Sequence, residues 1–247
     1  MPPVLERGRD TASVGPERLA FLTARPFAHR GLHGPGIPEN SLAAARAAIA
    51  GSYGIECDVR LSRDGIAHVF HDRRLARLTG EPGVFNDLHA AAISRLLLGG
   101  TSEAPPTLAT LLALCAQTPL LIEIKSDGDA HGLTQLCAAV ATDLAAHHGL
   151  AAVMSFDARA SHWFARHAPQ VVRGLVVSRR YRHGIMSRRT KALAIARARP
   201  HFLACDVRDL PQAATRPTGM PLLCWTVRTP AQRALAASRH AQIIFED

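Results

Sequence analysis

Residues 28–72 read AHRGLHGPGIPENSLAAARAAIAGSYGIECDVRLSRDGIAHVFHD, and they gather groups able to do chemistry. Two histidines, His29 and His71, bracket the stretch, each beside a charged neighbour, Arg30 and Asp72. Imidazole titrates near neutral pH, so two histidines can serve as base and acid in a displacement. Between them Glu39-Asn40 follows a Gly/Pro loop, and Glu56 and Asp58 lie two apart in an apolar run. Alternate residues of a strand share one face, so these two carboxylates point together and Cys57 points away. Adjacent carboxylates repel each other and lose hydration unless a cation or a basic group lies between them.

The same spacing recurs in LLIEIK, where Glu123 and Lys125 share a face at the end of another apolar run. Glu56, Asp58 and Glu123 are hard oxygen ligands, suited to one divalent cation, Mg2+ or Ca2+, rather than to a thiolate-preferring metal. Such an ion polarises a phosphoryl oxygen. Arg30 and Lys125, the latter one of only two lysines, would neutralise phosphate and the charge that grows in the transition state. Trp225 in LLCWTV suits a wall against the substrate. Glu39 and Asn40 are expected behind these groups, Glu39 holding Arg30 or its loop, with direct metal binding by Glu39 as the alternative, and Asn40 or Ser41 capping the next helix. His33 reads as a solvated loop residue, with a substrate contact as the alternative, and His68, His131, His147, His148, His162 and His167 as surface or satisfied side chains.

These groups need elements that carry them to one place. Apolar runs predict eight core strands, at 26–29, 53–60, 119–125, 151–156, 171–177, 202–207, 221–227 and 242–245. Helical patterns fall between them, at 41–50, 108–117, 132–147, 158–167, 188–199 and 230–239, with a short helical turn at 209–215. A hairpin arm is expected at 66–70, and residues 59–106 read as a segment inserted after the second strand. Alternating strands and helices argue for a parallel sheet. Eight units in about 250 residues fit a (β/α)8 barrel, an α/β TIM barrel whose reactive groups gather at the C-terminal ends of the strands. His29, Glu56, Asp58, Glu123, Lys125 and Trp225 all sit at or near such ends. A doubly wound open sheet is the alternative, but no G-x-G-x-x-G follows a strand, which weakens a dinucleotide reading.

The 247 residues are 47% hydrophobic and 20% charged, a balance that excludes wholesale disorder and permits one large domain, taken here as 1–247. Five scattered cysteines without a C-x-x-C pair suggest neither a disulfide framework nor a thiolate zinc site. With no signal-like apolar segment at the N-terminus and no membrane-length apolar run, a cytoplasmic location is expected. The net charge of +9 is regional: residues 158–205 hold eleven Arg or Lys and no Asp or Glu, leaving the remainder at −2. The dense part, 178–191, reads either as a solvated face or as a patch for weak contact with an anionic membrane surface. Few aromatics and no nucleic-acid motif leave nucleic acid unexpected as a partner.

Several motifs in order carry a resemblance: HRG at 29–31 with PENS at 38–41, ECDVRLSRDG at 56–65, HD at 71–72, LIEIKS at 121–126, SFD at 155–157 and CWTV at 224–227. Together they resemble the glycerophosphodiester phosphodiesterase family along nearly the whole chain. The resemblance implies a TIM barrel with an insert after strand 2. It also implies hydrolysis of small glycerophosphodiesters to sn-glycerol 3-phosphate and an alcohol, with a glycerol hydroxyl attacking phosphorus to give a cyclic phosphate that water opens. It matches His29 and His71 to catalytic positions, Glu56, Asp58 and Glu123 to metal ligands, and Arg30 and Lys125 to phosphate contacts. Two departures stand out: the short ending AQIIFED, and Arg228 where Asn is common after Trp-Thr-Val. Lysophospholipase D-like hydrolysis of lysophospholipids, or phosphate and anionic-surface binding without turnover, are the alternatives.

Overall fold

The computed structural model describes residues 14–178, 188–212 and 219–247. Among them the apolar runs form nine strands: β1 (Phe27–Ala28), β2 (Gly54–Leu61), β3 (Ala67–Val69), β4 (Leu120–Ile124), β5 (Ala151–Ser155), β6 (Val172–Val177), β7 (Phe202–Asp206), β8 (Leu222–Val227) and β9 (Gln242–Phe245). All but β3 are parallel. β1 pairs with both β2 and β9, which closes the sheet into an eight-stranded barrel. β3 runs antiparallel to β2 and stands outside the barrel as a hairpin arm. The eight expected strands form with their ends displaced by at most one residue, and closure excludes the open doubly wound sheet.

Helices Leu42–Ala50, Leu108–Leu114, Ala130–Ala145, Ala158–His167, Arg188–Ala198 and Pro230–Ser238 join the strands. Ser41, Thr107, Asp129, Asp157 and Thr229 each accept a first-turn backbone N–H, satisfying donors that the helix itself leaves unpaired. Between β7 and β8 the turn expected at 209–215 begins earlier, as a 3-10 turn over Val207–Gln212; residues 213–215 lie outside the described residues. The link from β2 to β4 carries β3 and three short turns, Ala76–Thr79, Phe85–Asp87 and Ala90–Ile93. It packs a small core of its own from Phe70, Leu75, Phe85, Ile93 and Leu98. The contact expected through 178–191 falls on residues 179–187 and on the side chains of 188–191, outside the described residues. No helix among the described residues is long and apolar enough to cross a membrane.

Period-two alternation divides each barrel strand between two cores. Outward residues such as Ile55, Cys57, Val59, Ile122 and Leu203 pack under the helices. Inward residues Phe27, Leu121, Ala152, Met154, Val172, Phe202, Leu223 and Ile244 fill the barrel, with Phe21 and Leu22 from the preceding turn packed against them. Gly174 makes room here, because a Cβ at that position would fall 2.3 Å from the Phe202 ring. Followed toward the C-terminal end, the inward rows turn polar: Phe27 then His29, Leu121 then Glu123 and Lys125, Ala204 then Asp206, Ile244 then Glu246. The barrel thus has an apolar floor and a polar mouth.

Candidate active site

β2 contributes Glu56 and Asp58, each 1% exposed, on the inward face, while Cys57 enters the outer core. Parallel register places Asp58 beside Glu123 of β4, and the three carboxylates offer ligand atoms within 4.8 Å of one another. Lys125 follows Glu123 by one turn of the pleat. Its Nζ lies 2.7 Å from Asp58 Oδ1 and 2.5 Å from Glu123 Oε1. Burial alone would raise the Asp58 pKa, but Lys125 and Arg30 outweigh it and hold the carboxyl well below its usual range. Lys125 is in turn held firmly protonated, because Asp58 and Glu123 overcome its desolvation. Glu56 goes the other way: burial, then repulsion from Asp58 and Glu123, push its pKa well up. Its Oε1 is buried without a hydrogen-bond partner. An unpaired carboxylate oxygen facing two more carboxylates fits a hard divalent cation, and Glu56, Asp58 and Glu123 are the residues that would hold it.

The chain leaves β1 through two left-handed residues, Arg30 (φ 57°) and Gly31 (φ 78°). A Cβ at Gly31 would also lie 2.7 Å from the Ala44 Cβ, so this turn depends on glycine. The turn aims the Arg30 backbone N–H at Glu56 Oε2, 3.1 Å away, and sets the Arg30 Nε 3.3 Å from Asp58 Oδ2. Ser41, not Asn40, caps the following helix. Asn40 is thereby free to clamp Asp58, donating from Nδ2 to Oδ2 at 2.9 Å and accepting the Asp58 backbone N–H at 3.1 Å. Glu39 accepts from Arg30 Nη1 at 2.8 Å and lies outside the carboxylate cluster.

Each histidine is gripped by a carboxylate. His71 Nδ1 lies 2.6 Å from Asp72 Oδ1, and His29 Nδ1 lies 2.5 Å from Glu246 Oε1. Asp72 is kept ionised by Arg77 and His71 against the opposing effect of burial, and Glu246 by His29, His33 and Arg228. Ionised carboxylates only accept, so each Nδ1 carries the proton and each Nε2 is left for other work. His29 Nε2 lies 3.9 Å from Glu56 Oε2. Desolvation, with Lys125 and Arg30 adding to it, lowers the His71 pKa although Asp58 opposes the shift.

These side chains line one cavity of about 800 Å3, in the size range of small-molecule sites. His29, Arg30, Glu56, His71, Glu123, Lys125 and Trp225 all border it. Trp225 meets Phe156 edge-on with centroids 5.5 Å apart, forming an aromatic wall. Of the expected residues, Asp58, Glu39 and Asn40 stand behind the lining and hold it.

Several contributors carry no role in the sequence reading above. Glu246, in the short ending, is the partner of His29; it lies two residues beyond the inward Ile244, and that parity was its signal. His33 is half-buried and 3.8 Å from Glu246, not a solvated loop residue. Arg60 continues the inward row of Glu56 and Asp58, donating to the His71 carbonyl at 2.8 Å and to Asp127. His68 is buried against Phe85 at the start of the inserted segment.

Residues 29–247 match the model of the glycerophosphoryl diester phosphodiesterase family. A Mycobacterium tuberculosis protein named "Probable glycerophosphodiester phosphodiesterase 1" is 30% identical over 233 residues, 83% of each chain. A second protein of that organism, named "Probable glycerophosphodiester phosphodiesterase 2", is 39% identical over 101 residues; the match spans 40% of this chain and 38% of that one. Among solved structures, an Oleispira antarctica phosphodiesterase in complex with the product sn-glycerol-3-phosphate superposes with a TM-score of 0.79 at 24% identity, covering 93% of this chain and 94% of the other. Glycerophosphodiester phosphodiesterase from Thermotoga maritima superposes with a TM-score of 0.72 at 22% identity, covering 89% and 92%. At such identities the structural likeness speaks for the fold.

Proposed function

The chain belongs to the glycerophosphoryl diester phosphodiesterase family, and from that premise we propose that it hydrolyses small glycerophosphodiesters to sn-glycerol 3-phosphate and an alcohol. The observation that carries this reading is a buried carboxylate trio with an unpaired oxygen, Glu56 and Glu123 on the cavity wall and Asp58 directly behind it, beside two histidines on the same wall with carboxylate-bound Nδ1 atoms. A divalent cation held by Glu56, Asp58 and Glu123 would supply Lewis-acid polarisation of a phosphoryl oxygen. Arg30 and Lys125 meet the remaining phosphate charge. One histidine, neutral with its proton on Nδ1, takes the proton from the attacking oxygen at Nε2. The other, entering as the imidazolium with both nitrogens protonated, gives its Nε2 proton to the alcohol as its P–O bond breaks. Each then holds the form the other began with, and attack by water on phosphorus with the roles reversed restores both. Asp72 and Glu246 hold the two rings in the tautomer this exchange requires. The wall of Trp225 and Phe156 shields one side of the cavity and orients the substrate against the histidines.

The test is release of sn-glycerol 3-phosphate from a panel of glycerophosphodiesters, assayed with Mg2+, with Ca2+ and with chelator. Release that depends on a divalent cation supports the reading. Folded protein that releases none under any condition overturns it.

A further inference from the structure

Arg77 lies in the inserted segment, on the turn Ala76–Thr79, and its side chain is half exposed. Yet all three of its guanidinium nitrogens donate to carboxylates. Nη1 donates to Glu39 Oε2 at 2.9 Å, Nη2 donates to Glu39 Oε1 at 2.6 Å, and Nε donates to Asp72 Oδ2. The two carboxylates it joins come from different loops and serve different groups. Asp72 uses its other oxygen on His71 Nδ1. Glu39 shares Oε1 with Arg30, whose Nε faces Asp58. One chain of contacts thus runs from His71 through Asp72, Arg77, Glu39 and Arg30 to Asp58.

From this geometry we infer that Arg77 is a positioning residue, and that the inserted segment sets the acid–base machinery through it. The inference rests on the hydrolase reading above for its kinetic consequence, but not for its structural one. A planar fork reaches two carboxylates at once, which a single ammonium on a flexible stem does not. With Arg77 present, Asp72 can offer only Oδ1 to His71, so the ring stands in one orientation with its proton on Nδ1. Without it, Asp72 rotates freely, the tautomer is no longer imposed, and Nε2 loses its fixed aim into the cavity. Glu39 still pairs with Arg30, so the phosphate contact is largely kept. The loss therefore falls on kcat rather than on KM.

The experiment combines kinetics with 15N NMR of the full-length protein labelled at histidine, the His71 signals being assigned with His71→Gln. Arg77→Met is expected to lower kcat about 10- to 100-fold with KM changed less than threefold and the melting temperature nearly unchanged. Arg77→Lys should fail to restore it. In wild type the His71 Nδ1 should carry the proton; in Arg77→Met the two nitrogens should shift toward a mixed tautomer. Because Arg77 acts through Asp72, adding Arg77→Met to Asp72→Asn should cost much less than it does in wild type. Full additivity of the two substitutions, or an unchanged His71 signal in Arg77→Met, overturns the inference. The NMR arm needs no turnover, so wild-type protein that hydrolyses nothing would sink the proposed function and leave this inference to stand or fall on the tautomer.

Discussion

Glu56→Gln should make the metal-free protein more stable while removing its response to divalent cations. Glutamine is nearly isosteric, and its carbonyl oxygen can still accept the Arg30 backbone N–H that now lies 3.1 Å from Glu56 Oε2. What the substitution removes is one of three negative charges whose ligand atoms lie within 4.8 Å of one another. At that separation an effective dielectric constant of about 20 puts each repulsive pair near 3.5 kcal/mol. Attraction to Lys125 and Arg30 offsets much of this, leaving a net gain on the order of 1–3 kcal/mol when the charge is deleted. The gain is complete only above the raised Glu56 pKa and shrinks at lower pH, where protonation of Glu56 already relieves the repulsion. In a domain of this size that raises the melting temperature by roughly 2–10 °C in chelator. With a divalent cation at about 1,000 times its dissociation constant, wild type should gain about 4.1 kcal/mol and the variant, short of one charged ligand, far less. The two proteins should therefore exchange rank between chelator and saturating cation. Thermal melts of both under both conditions make the test. A variant less stable than wild type in chelator, or one that keeps the full cation response, would refute the account of a cluster held under repulsion for an ion.

His29→Ala and His71→Ala should each lower turnover by roughly 10²–10⁴-fold while leaving the melting temperature close to wild type, because both rings border the cavity rather than the core; near-wild-type rates in both would remove the acid–base assignment. Stability should rise with pH between about 4 and 6.5. Burial, with help from Arg173 and Arg18, lowers the His201 pKa to about 4, and its Nδ1 accepts the Arg173 backbone N–H at 3.2 Å. The unfolded chain, with an ordinary pKa of about 6.5, then binds the extra proton in that window, so the stability is complete above it and is lost as pH falls. Discounted for the solvent around a half-buried ring, the effect is about 1–2 kcal/mol, and His201→Gln should flatten that part of the urea-midpoint profile. All five cysteines are buried, and burial pushes Cys115, Cys137 and Cys224 up to about 12. A thiol reagent should therefore modify none of them quickly in the folded protein and all five in denaturant; rapid native labelling would contradict the packing.

Strand positions, the parallel order and the shared face of Glu56 and Asp58 were legible in the sequence, because each follows from a local rule. Apolar runs of strand length alternate with helical patterns, and covalent geometry sends every second side chain of a strand the same way. The same rule carries Glu123 and Lys125 to one face, and it would have carried Arg60 and Glu246 there had the inward rows been followed to their ends. Barrel closure was required to turn these separate strand ends into one cavity, since β1 must pair with β9 before His29 can meet Glu246 across 217 positions. Partner choice was the part no local pattern could supply. Nothing in the spacing of Arg77, Glu39 and Asp72 distinguishes that arginine from the others on the surface, because an ion pair is decided by distances of a few ångströms between loops whose positions depend on the whole fold. The residue types that do the chemistry are thus a property of the sequence. The orientation of each histidine, and the choice of Asn40 to hold Asp58 and of Ser41 to cap the helix, belong to the tertiary structure.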